Sequence, residues 1–350
     1  MTHNRIDSHK LLYHPHRVSE WLTKGDCFPI YVEIGLTENC NHKCIFCALD
    51  WVTKRGATIK TDVMLKALDD LASHAIKSIM FAGEGEPLLH KDVTLFVNHA
   101  KTNGLKVAIT TNGVPFTQQI AETCLPALSW IRFSINAGTP DAYARIHGTT
   151  PSDFEKVMNN IAFTVEYKEK HSLDVDIGVQ ILVLPESLST ITRLAEVVKN
   201  LGVNNLQVKP YSKHPLSRND LSVNQSEHHS LITLKSFESD HFKIFVRETA
   251  FQRLKDDIPY DCCHGLPFFA LIDARGNVIP CNMFYGQSDY KYGNLYEKSF
   301  PTIWAGKRRA RVLDILSKRG IKECRQICRL DVINTYLHRL KHPEQRDDFI

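Results

Sequence analysis

From residue 30 to 212, short apolar runs alternate with stretches whose apolar residues recur every three or four positions. The runs fall at 30–36, 78–82, 106–110, 130–135, 175–184 and 206–209, lengths that suit strands. Between the first two, Met64, Leu68, Leu71, Ala72 and Ala75 share one helix face. Ser152 and Glu155 make a capping box before a helix carrying Val157, Met158 and Ile161. Apolar strands joined by helical crossovers predict a parallel sheet covered by helices. Six such units over 30–212 predict an α/β fold, an open and partial (β/α)6 TIM-like barrel. In such barrels the chemistry lies at the C-terminal ends of the strands.

The pattern changes after residue 212. Residues 213–260 are polar and helix-prone, with one strand-like run at 242–246, and suit a connector. From 261 to 350 a small α+β region follows. Its centre is a hairpin over 269–281 that turns at Arg275, Gly276 and Asn277. Residues 1–29 form an N-terminal extension.

Composition narrows the function classes. With 350 residues, 43% of them hydrophobic, the chain can build one large core or two modest ones. A net charge of +4 over 43 basic and 39 acidic residues is too mild and mixed to argue for nucleic acid or a membrane as partner. No apolar stretch approaches the roughly 20 residues of a membrane span, and residues 1–9 lack the apolar centre of a signal peptide. A cytoplasmic protein is expected.

Ten cysteines then need a reason, since disulfides are rare in a reducing compartment. Eight fall in two groups, and clustering favours metal binding. Cys40, Cys44 and Cys47 have the spacing C-x3-C-x2-C and follow the first strand. Three thiolates on one loop can bind three irons of a [4Fe-4S] cube and leave the fourth iron open to a cofactor or substrate. The same three could instead bind zinc with His42 nearby.

This triplet, with Phe46 before its last cysteine, resembles the signature of the radical S-adenosylmethionine (SAM) superfamily. Further segments match in order. Gly83-Glu84-Gly85-Glu86-Pro87 follows the second strand and resembles the family's Gly-Gly-Glu-Pro motif. Thr110-Thr111-Asn112-Gly113 follows the third, and Arg132 to Asn136 lie on the fourth. The resemblance spans about 30–212. It implies a SAM-binding [4Fe-4S] cluster on Cys40, Cys44 and Cys47. It also implies S-adenosylmethionine held near Gly83, Glu84, Gly85, Glu86, Pro87 and Asn112, with its adenine near Phe46. Ser134 and Asn136 would point to the ribose and carboxylate, and Gln180 would assist. Gly83 and Gly85 lack side chains and let backbone carbonyls approach the ammonium group. One-electron reduction would yield a 5′-deoxyadenosyl radical, with a flavodoxin or ferredoxin as the external reductant. Cofactor chemistry of this kind needs orientation and exclusion of water from the protein.

Cys263, Cys281, Cys324 and Cys328, with Gly276, Gly293-Asn294-Leu295 and Trp304 between them, resemble the SPASM and twitch extensions of that superfamily. Such extensions hold auxiliary clusters. Five cysteines fit the shorter twitch form, with one auxiliary [4Fe-4S] cluster on those four residues. The same four could make a structural zinc site. Cys262 is left over: an alternative ligand, a small buried hydrophobe, or a thiol donating a hydrogen atom in an epimerase. Cys27 and Cys124 read as structural.

Arg132, Lys209 and Tyr211 lie at or after strand ends that face the expected site, followed by His214 and Arg218. A cation there can bind a phosphate or carboxylate, and Lys209 can act as a base if burial lowers its pKa. The expected reaction is oxidation of a small-molecule substrate, a sugar or aminocyclitol, with the auxiliary cluster taking an electron. Alternatives are epimerisation of such a substrate, with Cys262 as donor, modification of a ribosomal peptide, and a zinc-stabilised binding module that is not an enzyme.

Overall fold

The computed structural model describes residues 9–52, 56–221, 225–254 and 257–349. All six expected strands are present: β1 (Tyr31–Gly35), β2 (Ser78–Ala82), β3 (Lys106–Thr111), β4 (Leu128–Ser134), β5 (Asp176–Val183) and β6 (Asn205–Pro210). They lie side by side in chain order, every pair parallel. The helices Thr61–Ser73, Val93–Thr102, Gln118–Cys124, Pro140–His147, Pro151–Lys170 and Ile191–Asn200 fall between them.

The sheet is wider than six strands. The connector contributes β7 (Lys243–Val246), parallel to β6. The C-terminal hairpin contributes β8 (Phe269–Ile272), which pairs in parallel with β1 at the opposite edge. Then β9 (Asn277–Ile279) and β10 (Gly293–Asn294) add antiparallel beyond it. All four residues of β8 are buried, as a strand covered on both faces requires. The parallel run thus goes β8-β1-β2-β3-β4-β5-β6-β7. Among the described strands β7 and β8 do not pair, so the barrel stays open.

Alternation assigns the two faces. Val32, Ile34, Phe81, Ile109, Phe133, Val179 and Val208 are fully buried and pack with the helices in the main core. The residues between them face inward: Tyr31 and Glu33 on β1, Thr110 on β3, Arg132 and Ser134 on β4, Gln180 on β5, and Gln207 and Lys209 on β6. An apolar outside and a polar inside make this sheet a container.

One local expectation is corrected. The long helix begins at Pro151, with Thr150 as N-cap and no side-chain cap bond. Proline at the first helical position fixes a helical φ there, so Ser152 lies one place inside the helix and cannot form the box with Glu155.

The chain ends are clamped together. Arg309, on the helix Lys307–Arg319, is 2% exposed and donates to both carboxylate oxygens of Asp26 at 2.6 and 2.7 Å. Its guanidinium lies 3.8 Å from the Trp304 ring centroid, and Trp304 Nε1 donates to the Cys27 carbonyl at 2.9 Å. Arg309→Ala is expected to destabilise the protein by about 2–4 kcal/mol, through lost stacking and bidentate pairing. Arg309→Lys should recover less than half, because an ammonium cannot reproduce the fork. Urea unfolding of the three proteins measures both effects.

Candidate active site

The first cysteine loop leaves the end of β1 and is strapped down from three sides. Glu86 N–H donates to the Asn39 carbonyl at 2.8 Å. Asn112 Nδ2 donates to Asn41 Oδ1 at 2.7 Å. Lys43 and Ile45 N–H donate to the carbonyls of His147 and Ile146, both at 3.0 Å. Two glycines permit this docking: a Cβ on Gly85 would collide with the Thr37 and Asn39 carbonyls, and one on Gly148 (φ +60) with the Lys43 carbonyl. Cys40 is exposed, Cys44 and Cys47 are half-buried, and none is in a disulfide. Three accessible thiols on a loop held by its backbone are a donor set suited to a three-coordinate cluster.

Of the other expected cofactor residues, some face the opening and some serve the scaffold. Glu86 is buried and accepts from Thr111 Oγ1 (2.7 Å), Asn112 N–H (2.8 Å) and Leu88 N–H (3.2 Å). Burial pushes its carboxyl up to about 7 against those three donors. Pro87 opens the short turn Pro87–Leu89 beneath it. Glu84 points the other way, accepting from Ala274 N–H at 2.9 Å just beyond β8. Burial, and then Asp273, push it up to about 8. Gly83 (φ +119) has no room for a Cβ against Gly35. Asn136 Oδ1 accepts from Leu182 N–H at 2.7 Å and ties the ends of β4 and β5. Lys209 Nζ donates to Gln180 Oε1 (2.6 Å), and Gln180 Nε2 donates to Ser134 Oγ (3.2 Å), a polar chain across the inner face. Phe46 stands edge-on to His147, with ring centroids 5.6 Å apart.

His147 is the residue that sequence reasoning missed. Its Nε2 accepts from Asn136 N–H at 3.2 Å, so the ring proton of the neutral form sits on Nδ1, 3.4 Å from Cys44 Sγ. Burial, and then His42, lower its pKa to about 3 and keep it neutral. His42, Cys44 and His147 place their ligand-type atoms within 4.8 Å of one another. Its place at a helix C-terminus before Gly148 is visible in the sequence; its nearness to a cysteine 103 residues upstream is not.

The second set also converges. Cys263, Cys281, Cys324 and Cys328 are half-buried, and burial raises every one of these thiols. The Cys263, Cys281 and Cys328 thiols are raised further by their neighbours in the set. Thiols that oppose one another's ionisation are relieved by a bound metal. Leu330 N–H donates to Cys328 Sγ at 3.3 Å and Asn334 Nδ2 to Cys263 Sγ at 3.5 Å, donors that suit ligating thiolates. The Cys262 sulfur lies 3.7 Å from the His264 ring nitrogens. Next to Cys328, Arg329 forms an ion pair with Glu33 on the inner face of β1. The second cysteine set therefore sits against the barrel interior.

The remaining candidates lie on the segment that follows β6. Tyr211 donates to Asn219 Oδ1 at 2.8 Å. His214 stacks on Trp51 with centroids 4.9 Å apart. The Arg218 backbone N–H donates to Asp50 Oδ2 at 3.0 Å.

Comparison with known proteins agrees with this geometry. The family model of the radical SAM superfamily matches residues 34–207, and that of the SPASM iron–sulfur cluster-binding domain matches 262–329. The chain is 26% identical over 303 residues to a tungsten-containing aldehyde ferredoxin oxidoreductase cofactor-modifying protein of Pyrococcus furiosus, covering 79% of this chain and 81% of that one. It is 25% identical over 338 residues to an AdoMet-dependent heme synthase of Methanosarcina barkeri, covering 86% and 90%. The crystal structure of Streptococcus suis SuiB bound to S-adenosylmethionine shares the fold, with a TM-score of 0.67 at 16% identity over 85% of this chain and 70% of that one.

The raised Glu84 pKa has a measurable sign. Between its ordinary 4.5 and about 8 the folded protein holds a proton that the unfolded chain has released, so stability falls as pH rises through that window. Glu84→Gln removes the effect. Each tenfold change in proton affinity is worth about 1.4 kcal/mol. Relative to wild type, the variant is therefore expected to gain a few kcal/mol between pH 5 and pH 9, read from urea unfolding at both values.

Proposed function

The chain belongs to the radical SAM superfamily and carries a SPASM-type iron–sulfur domain, and we propose that it oxidises a small polar molecule, with sugars and aminocyclitols the first substrates to try. In this reading Cys40, Cys44 and Cys47 hold the SAM-binding cluster, and Cys263, Cys281, Cys324 and Cys328 the auxiliary one. When bound, the first cluster with SAM would supply radical chemistry for hydrogen abstraction, and the auxiliary cluster would supply an acceptor for the electron left on the substrate. Oxidation of a carbinol carbon would in this way remove one hydrogen atom, one electron and the hydroxyl proton, the last released to solvent.

The chain's own residues position and enclose. Ser134 and Gln180 line the inner face beside the expected SAM site, and Phe46, within the thiol loop itself, packs edge-on to His147. Tyr211, Trp51 and His214 limit water at the mouth. A single observation supports oxidation above the alternatives: Arg329, adjacent to Cys328, reaches Glu33 inside the barrel. An acceptor held by Cys328 would lie near a substrate in that interior. Cys262 faces His264 instead, which weighs against it as the hydrogen donor of an epimerase. The two named relatives are a cofactor-modifying protein and a heme synthase, which favours a small molecule over a peptide. Among the described residues no helix is long and apolar enough to cross a membrane. A cytoplasmic enzyme reduced by a flavodoxin or ferredoxin fits this reading.

Two outcomes test the assignment. Wild type should contain about eight irons per chain and Cys328→Ala about four. That variant should still form 5′-deoxyadenosine while losing oxidised product. Cys44→Ala should form neither, and a Cys328→Ala protein that still oxidises substrate would sink the role of the auxiliary cluster. The second outcome concerns His147, whose Nδ1–H donates toward Cys44. A donor to a ligating sulfur favours the reduced cluster, so His147→Leu should lower the midpoint potential of the SAM-binding cluster. EPR-monitored reductive titration reads that shift independently of turnover.

A further inference from the structure

On the inner face of β4 and β6, two cations rest on neutral groups. Arg132 lies 4.6 Å from the Trp130 ring centroid. With the Gln207 amide oriented to present its oxygen, Arg132 donates to it from Nε at 3.0 Å and from Nη2 at 2.6 Å. Lys209 donates to the Gln180 amide oxygen at 2.6 Å. Arg247 and Arg329 also lie within electrostatic reach of Lys209. The carboxylates facing this group are Glu33, which pairs with Arg329, and Asp176, which accepts from Asn205 Nδ2 at 2.6 Å.

Inside the barrel Arg132 and Lys209 thus donate to neutral amide oxygens, while Glu33 is engaged by Arg329 and Asp176 by Asn205. Excess positive charge in a low-dielectric interior is costly unless an anion joins it. The cost shows on Lys209, whose pKa is driven well below its ordinary value by burial and then by Arg132, Arg247 and Arg329. The face is also reachable: Arg329 keeps 38% of its side chain exposed while lying on Glu33 and over the Phe269 ring at 5.4 Å. The polar chain from Lys209 through Gln180 to Ser134 connects this charged floor to the expected SAM side of the barrel.

We infer that this face recognises an acidic group on the substrate, a carboxylate or a phosphate, gripped by Arg132 and Lys209 with Arg329 nearby. The inference rests on the reading that the barrel interior is the reaction site, and it assigns Lys209 to anion recognition rather than to base catalysis. An anchored acidic end would place the rest of the molecule beside Ser134, and narrows the candidate substrates to sugars and cyclitols that carry a carboxylate or a phosphate.

The test uses reconstituted, SAM-loaded protein and two probes, inorganic phosphate and succinate, titrated calorimetrically at constant ionic strength. At least one should bind wild type. Arg132→Gln and Lys209→Gln should each weaken that binding by about tenfold or more, the loss expected for one charge-assisted hydrogen bond in an enclosed site. Arg193→Gln, which removes an exposed charge paired with Glu196, should leave it unchanged. Preference for phosphate identifies a phosphate ester, and preference for succinate a carboxylic acid. Circular dichroism checks that both variants fold. Binding of neither probe to wild type, or equal binding to wild type and folded variants, overturns the inference. Formation of 5′-deoxyadenosine by wild type is measured in parallel. Its absence would count against the proposed reaction while leaving anion binding to be judged on its own result.

Discussion

The ion pair between Glu33 and Arg329 is the constraint on which the functional architecture turns. It joins the inner face of the first strand to the residue next to Cys328. With Glu33 buried and Arg329 partly exposed, the pair carries a desolvation cost and is weak evidence of stability. Its value here is positional. It draws the C-terminal cysteine loop over the barrel, and Arg325 supports the same approach by donating to the Ser212 carbonyl at the far side of the mouth. The two cysteine sets can then serve one interior.

A second division of labour runs through the acidic loop after β2. Glu86 is consumed by the backbone of the neighbouring turn, and Glu84 by the start of the C-terminal hairpin. Both carboxyls are buried and raised, so near neutral pH they behave partly as hydrogen-bonding acids rather than full charges. The loop that looks from its sequence like a pure cofactor cradle is also the joint between the barrel and the C-terminal region.

Much of this was legible in the chain. The six central strands announce themselves because strand-length, mainly apolar segments recur between amphipathic helices, even where Arg132, Gln180 and Lys209 interrupt them on the inner face. The cysteine sets are legible because residue type and spacing carry the chemistry. What escapes is whatever depends on distant partners. β8 is four residues long, and nothing local shows that it lies parallel to β1 rather than in a separate domain. Cys262 and Cys263 are adjacent and chemically identical, and only the fold turns one to His264 and the other to Asn334. The capping box at Ser152 fails because Pro151 claims the first helical position.

The pairing of β8 with β1 has a consequence for how such proteins are built and cut. An appended module normally hangs from its host by a linker and can be removed. Here the appendage supplies the neighbour of the host's first strand. Excising everything after residue 260 would leave the backbone donors and acceptors of Tyr31–Ile34 bare along one side, an open invitation to intermolecular pairing. The barrel and its extension thus share one sheet, and gain or loss of the auxiliary region must remake that sheet's border as well as the chemistry.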